Sequence, residues 1–327
     1  MNPMQPIERQ TFDAAGLMAE HPPVLRNANK RAVFDVACPE GARHQGEVTY
    51  TRWRAMPLPE TWSPQRALEI QELREDVYDY APALGGDAME WHVNFADPHL
   101  FVAYSGSLFA QDEMQVAEHP VLGALKEALA ARGGSALTVE RGEPTPILVA
   151  GAERRCRVHT DADTAAGRPF GLYGNAFGAA PVEAVHRATE PIDPPTVTNL
   201  VAIAAPSYGF GRYSEDEIAV VLRTAFTGFR AAVLESGGRD VTIHTGFWGC
   251  GAFGGNRVLM TLLQLLAAGA AGADRLVFHS VNAAGAAPYR QALELLETEL
   301  GAPSIGTDEL VQKVAALGLQ WGVSDGN

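Results

Sequence analysis

The spacing of apolar residues is irregular at the start of the chain and periodic after it. Up to residue 62, prolines and charges interrupt short apolar runs. From Ser63 the stretch SPQRALEIQELREDVYDYA places apolar residues at helical spacing, with Ser63 as N-cap and Pro64 in the first position, and predicts a helix. MEWHVNFA, from Met89, predicts a strand. Residues 110–134 predict a helical stretch broken near Pro120 and stopped by Gly133-Gly134. TPILVAG (145–151) and TNLVAIAAP (198–206) predict buried strands, and the polar, glycine-rich residues between them predict a long surface excursion.

The second half is more regular. YSEDEIAVVLRTAFTGFRAAVLESGG predicts a helix capped by Ser214, with Glu217 three residues on as in a capping box and Gly237-Gly238 at its end. The strand DVTIHTG, a glycine-rich loop, the helix NRVLMTLLQLLAAGAAGA and the strand RLVFHSV follow. PYRQALELLETELG and TDELVQKVAALGL close the chain as helices. Strands and helices alternate without an internal repeat, which predicts an α/β layered sheet. The first 85 or so residues carry fewer strand signals and predict a mainly helical accessory region.

Composition narrows the class. The 327 residues are 46% hydrophobic and 20% charged, as in an ordinary globular protein, and suffice for one or two domains. A net charge of −14 argues against a broad basic face for duplex nucleic acid. It leaves room for an anionic small ligand, because backbone N–H groups bind phosphate without lysine. Cys38, Cys156 and Cys250 form no C-x-x-C pair, so neither a disulfide framework nor a zinc site is expected. No signal-like start and no bilayer-length apolar run is read, which makes a cytoplasmic protein without a membrane partner the expectation.

Two stretches carry candidate chemistry. The first is the loop GFWGCGAFGG (246–255), five glycines without a charge between a strand and a helix. It contains G-x-G-x-x-G, and amides at a helix N-terminus can face an anion. The alternative is a tight turn with close helix–strand packing. No Lys-Ser or Lys-Thr follows, so a P-loop is excluded. The next strand ends at Asn282 without the acid that a dinucleotide fold uses on ribose. The second stretch is VNFADPHLFVAYSGSLFAQDEMQVAEH (93–119), in which Gln111, Asp112 and Glu113 open a helix. Acids there suit the helix dipole. A carboxyl raised by a like-charged neighbour also suits general acid/base work.

Together these stretches resemble the poly(ADP-ribose) glycohydrolase family. Asn94-Phe95-Ala96-Asp97 and Gln111-Asp112-Glu113 resemble that family's Asp-Phe-Ala-Asn and Gln-Glu-Glu. Residues 246–255 match its diphosphate loop at all but one position, with Phe247 in place of Asn. Residues 213–229 resemble the family helix that ends in Gly-Phe, here Gly228-Phe229. The resemblance implies a macrodomain-like three-layer α/β/α fold with a mixed sheet in residues 89–327, after an accessory region in residues 1–88. It implies an ADP-ribosyl glycohydrolase with Glu113 as catalytic acid/base and Asp112 on the ribose hydroxyls. Asn94, Asp97 and Gln111 would help to bind ADP-ribose. Gly246, Phe247, Trp248, Gly249, Cys250, Gly251, Ala252, Phe253 and Gly254 would form the diphosphate loop, with Phe253 against the ligand. No cofactor or metal is implied.

One departure bears on specificity. The family's Gly-Gly-Gly catalytic loop aligns with Phe101-Val102-Ala103, where side chains either enter the core or narrow the cleft; the second is expected, with weakened polymer cleavage. Three other functions remain: an ADP-ribose reader without turnover, an enzyme using the Cys250 thiol, and a dinucleotide oxidoreductase.

Overall fold

The computed structural model describes residues 4–81, 88–133 and 136–326. In chain order, β1 (Pro6–Asp13), α1 (Ala14–Glu20), α2 (Ala28–Ala37), β2 (Glu47–Trp53), β3 (Thr61–Trp62), α3 (Pro64–Ile70) and β4 (Gln71–Arg74) precede β5 (Met89–Phe95). Then come α4 (Gln111–Glu118), α5 (Pro120–Ala131), β6 (Val139–Glu140), β7 (Glu143–Pro144), β8 (Ile147–Val158), α6 (Asn175–Ala179), α7 (Val182–Ala188) and β9 (Thr189–Ile203). The chain continues through α8 (Glu215–Glu235), β10 (Val241–Thr245), α9 (Arg257–Ala271), β11 (Arg275–His279), α10 (Ala286–Thr298), β12 (Ile305–Gly306) and α11 (Thr307–Ala316).

Eight strands form one mixed sheet in the order β1-β2-β8-β9-β5-β10-β11-β4. The pairs from β1 to β9 are antiparallel, and β9, β5, β10, β11 and β4 run parallel. Strand alternation sorts the core into two layers. Leu148, Val201, Ile203, Trp91 and Val93 pack on one face with the apolar sides of α8 and α9. Ile147, Val149, Leu200 and Ala202 point to the other face, against α1 and α5. The result is the expected macrodomain-like α/β/α arrangement. A third cluster, with Val33, Phe109, Cys156 and Phe177, joins α2 and α6 to the far end of β8.

Local signals form as the sequence predicts in the second half. Ser214 Oγ accepts from the Glu217 N–H, and Glu217 Oε2 accepts from the Ser214 N–H, which closes the capping box of α8. Asn256 caps α9 and Gly272 ends it in the left-handed conformation, at φ 82°. Pro120 divides α4 from α5 as expected. The expected stop at Gly133-Gly134 lies partly outside the described residues; Gly133 itself has φ 69°.

The segment before Met89 differs from the mainly helical expectation. It holds α1, α2 and α3, but also β1, β2 and β4 of the main sheet, both edge strands among them. β1, PIERQTFD, alternates between half-buried and exposed positions, so Arg9, Thr11 and Asp13 face solvent and mask a strand in the sequence. The helix from Ser63 stops at Ile70, and QELR continues as β4 beside β11. A helical propensity there yields to tertiary pairing with a parallel strand.

Candidate functional site

The candidate site lies beyond the carboxyl ends of the parallel strands, where open α/β sheets place ligands. α4 follows β5 and the glycine loop follows β10, its neighbour in the sheet. Gln111 fastens the start of α4 to the end of β5. Its Oε1 accepts the Phe95 N–H at 2.8 Å and its Nε2 donates to the Val93 carbonyl at 2.9 Å. Both ends of this amide are taken by backbone, so Gln111 positions the helix.

Asn94, fully buried on β5, donates through Nδ2 to Asp112 Oδ1 at 2.9 Å and to Gln115 Oε1 at 2.8 Å. Asp112 and Glu113 are both buried. Burial first, and the neighbouring Glu113 charge second, push the Asp112 carboxyl up to about 8; the Asn94 hydrogen bond and the Lys30 charge act the other way. Glu113 Oε2 accepts the Ala110 N–H at 3.0 Å, which also serves the helix start. Asp97 is half-buried and bonds the His99 N–H at 2.9 Å, a turn contact away from the acid pair's own hydrogen bonds.

The glycines of the loop have separate reasons. A β-carbon at Gly246 would stand 2.9 Å from the His279 carbonyl oxygen, and at Gly255 2.8 Å from the Gly249 carbonyl oxygen. At Gly249, with φ 74°, it would meet Ala205 Cβ at 2.4 Å. These three answer to close packing of the turn itself. Gly251 and Gly254 are instead approached by the segment after α11. There a β-carbon would lie 3.1 Å from Asp325 Oδ2 and 3.2 Å from the Ser324 nitrogen. Close packing of the turn thus accounts for Gly246, Gly249 and Gly255, while Gly251 and Gly254 face residues 322–325.

The loop's side chains divide as well. Trp248 is fully buried and donates Nε1–H to the Ile203 carbonyl at 2.9 Å, so its indole belongs to the core and not to a ligand face. The Cys250 thiol is buried and pushed up to about 12, chiefly by burial. A thiol held protonated is a poor nucleophile, which removes the support for a thiol enzyme. Phe247 packs edge-on against Phe278, with the Arg257 guanidinium 4.8 Å from its ring centroid. Ala252 and Phe253 are half-buried, and Phe253 lies 6.2 Å from the exposed Tyr208 ring.

Of the triplet Phe101-Val102-Ala103, the structure sends Phe101 to the core. Phe101 is fully buried with Leu100 and Tyr104, at φ 54°. Its side chain does not narrow a cleft, contrary to the expectation for this loop; burying the ring outweighs the cost of a backbone region that glycine enters freely. Val102 is the exposed member of the triplet.

Lys30, Tyr173 and Asp325 come to this region from distant parts of the chain. The Lys30 charge acts on Asp112, and Tyr173 feels both Asp325 and Glu113. Among the described residues no cluster of three or more His, Cys, Asp or Glu could hold a metal ion, and no helix is long and apolar enough to cross a membrane.

Residues 143–287, under half of the chain, match the family model described as poly(ADP-ribose) glycohydrolase (PARG), macro domain fold. Over those residues the chain is similar to that family. That match takes in the glycine loop and α8 but not the Asp112–Glu113 pair. No curated protein matches the sequence. Solved structures similar to this chain include the poly(ADP-ribose) glycohydrolase of Thermomonospora curvata, at 16% identity and TM-score 0.45, covering 88% of this chain and 85% of that one. The same protein bound to the inhibitor ADP-HPD gives 17% and 0.47, covering 82% and 97%. The Deinococcus radiodurans glycohydrolase in complex with ADP-ribose gives 16% and 0.41, covering 72% and 94%.

Proposed function

We propose that this protein hydrolyses an O-glycosidic bond to ADP-ribose, with Glu113 as general acid and then general base. The observation that carries the reading is the buried Asp112–Glu113 pair, opening α4 at the same sheet edge as the glycine loop. Burial and the neighbouring Glu113 charge favour a proton on Asp112 at neutral pH, beside Glu113, and protonating a leaving oxygen needs a proton at the pair. Glu113 gives its proton to the glycosidic oxygen as the bond to the ribose anomeric carbon breaks. The anomeric carbon takes oxocarbenium character. Water adds to it, and Glu113 takes back the proton that the water loses. Asp112 orients the ribose hydroxyls. Amides of the glycine loop bind the diphosphate, and that remote binding fixes the reacting bond.

Glu113→Gln should leave ADP-ribose binding by calorimetry nearly intact and lower release from an O-linked ADP-ribosylated substrate by about 10²–10⁴-fold. Equal release by variant and parent removes Glu113 from the mechanism. A reader without turnover draws on one observation, the use of Glu113 Oε2 by the Ala110 N–H. It requires that the unaltered protein bind ADP-ribose and release none from modified substrates.

A further inference from the structure

Lys30 is one of three lysines in the chain and it is 2% exposed. Its Nζ has no hydrogen-bond partner. It stands 4.8 Å from the Phe109 ring centroid and 5.6 Å from that of Phe177, two rings stacked at 4.0 Å. Phe109 lies two residues before α4, and α2, which carries Lys30, packs against α4. An ammonium sealed off from water is costly, and aromatic faces offset only part of that. The charges that favour its ionised form are Glu113 and Asp112; burial works against them. Asp112 in turn feels Glu113, Lys30 and Asp97, and it acts on Lys126 of α5.

We propose that Lys30 is a positioning residue for the Asp112–Glu113 pair, its buried ammonium supplying the counter-charge that lets one carboxyl ionise while the other keeps its proton. This rests on the glycohydrolase reading, since general acid catalysis needs one protonated carboxyl beside a ligand-binding neighbour. Lys30→Met keeps the stem over Phe109 and Phe177 and removes the charge. The experiment follows side-chain carboxyl ¹³C signals through a pH titration, together with the pH–rate profile of ADP-ribose release. The Asp112 titration should move up, by up to about one pH unit, as an opposite charge is removed. The rate profile should move the same way, with kcat lowered more than KM is raised. An unchanged carboxyl titration overturns the proposal. A protein that shows the shift but never releases ADP-ribose overturns the glycohydrolase reading instead. If Lys30→Met does not fold, the Lys30 Cε signal is titrated in the parent and in Asp112→Asn. A lower Lys30 pKa in the variant supports the pairing, and an identical one overturns it.

A separate set of contacts concerns the glycine loop. The Gly322 N–H donates to the Gly254 carbonyl at 2.8 Å, and the Asp325 N–H to the Gly251 carbonyl at 3.4 Å. Asn175 Nδ2 donates to the Gly326 carbonyl at 3.1 Å, so residues 322–326 span from the loop to α6. The Asp325 carboxylate stands against Gly251, and Tyr173 feels both it and Glu113. We infer that this segment is a strap over the anion loop, with Asp325 holding the place of an anionic ligand group that must displace it. Asp325→Ala leaves the loop and the acid pair unaltered. Its affinity for inorganic pyrophosphate and for ADP-ribose, by calorimetry, should rise roughly tenfold, the worth of one charge-assisted contact. Equal affinities in variant and parent overturn the strap and leave the glycohydrolase reading standing. Failure of both proteins to bind either probe overturns both.

Discussion

At the scale of single residues, Asp112 carries a sign that can be measured. Its folded value, about 8, lies above that of an exposed aspartate, so the fold favours the protonated form. The stability this gives is complete below the unfolded value, near 4, and is lost as pH rises through about 8. Asp112→Asn keeps an oxygen for Asn94 and cannot ionise. Its melting temperature should exceed the parent's at pH 9 and approach it at pH 4, as read by calorimetry across that range. Phe101 gives a second case. Phe101→Gly relieves the positive φ but empties a core position, for a net loss of about 2–4 kcal/mol in urea unfolding. Retained stability would show that the ring contributes little to the core.

At the scale of elements, three neighbouring strands carry a row of imidazoles. His92 of β5 stacks on His244 of β10 with centroids 4.3 Å apart, and His244 Nδ1 lies 3.0 Å from His279 Nε2 of β11. Both ring nitrogens of His92 are buried without a partner. Burial holds His92 well below the usual histidine value, with the His244, His279, His119 and Arg154 charges adding to it; burial likewise brings His279 to about 4 and His119 to about 3. These groups fold neutral. The stability they add is therefore complete above the unfolded value, near 6.5, and lost as pH falls from there toward 4. The urea midpoint should drop between pH 7 and pH 5, and His92→Phe should flatten that drop. A midpoint unchanged over the interval would remove the imidazole row as its cause. The Gln111 clamp belongs to the same scale. Gln111→Ala leaves the Phe95 N–H short of a partner, while the Val93 carbonyl keeps the Tyr78 hydroxyl, at a cost of about 1–3 kcal/mol, and amide exchange at Phe95 should quicken.

At the scale of the whole molecule, residues 4–81 supply three of the eight strands of the sheet. A chain starting at Met89 should therefore give no cooperative thermal transition, because β8 and β11 lose their outer neighbours and present open edges. A sharp transition in that fragment would restore the idea of an accessory region. The sequence by itself determined what depends on neighbours a few residues apart: the Ser214 box, the break at Pro120 and the glycine turn after β10. It also brought together, through motif resemblance, Asn94, the Asp112–Glu113 pair and the 246–255 loop. Only the tertiary structure decided that PIERQTFD and QELR are strands, since their polar positions are satisfied by a register with distant partners. It alone sent Trp248 and Phe101 into the core, where burying a large ring outweighs its local motif. It alone set Lys30 of α2 over the Phe109 and Phe177 rings and Asp325 against Gly251. No spacing along a chain encodes contacts of that range, because they follow from the packing of whole elements and not from the conformation of any one of them.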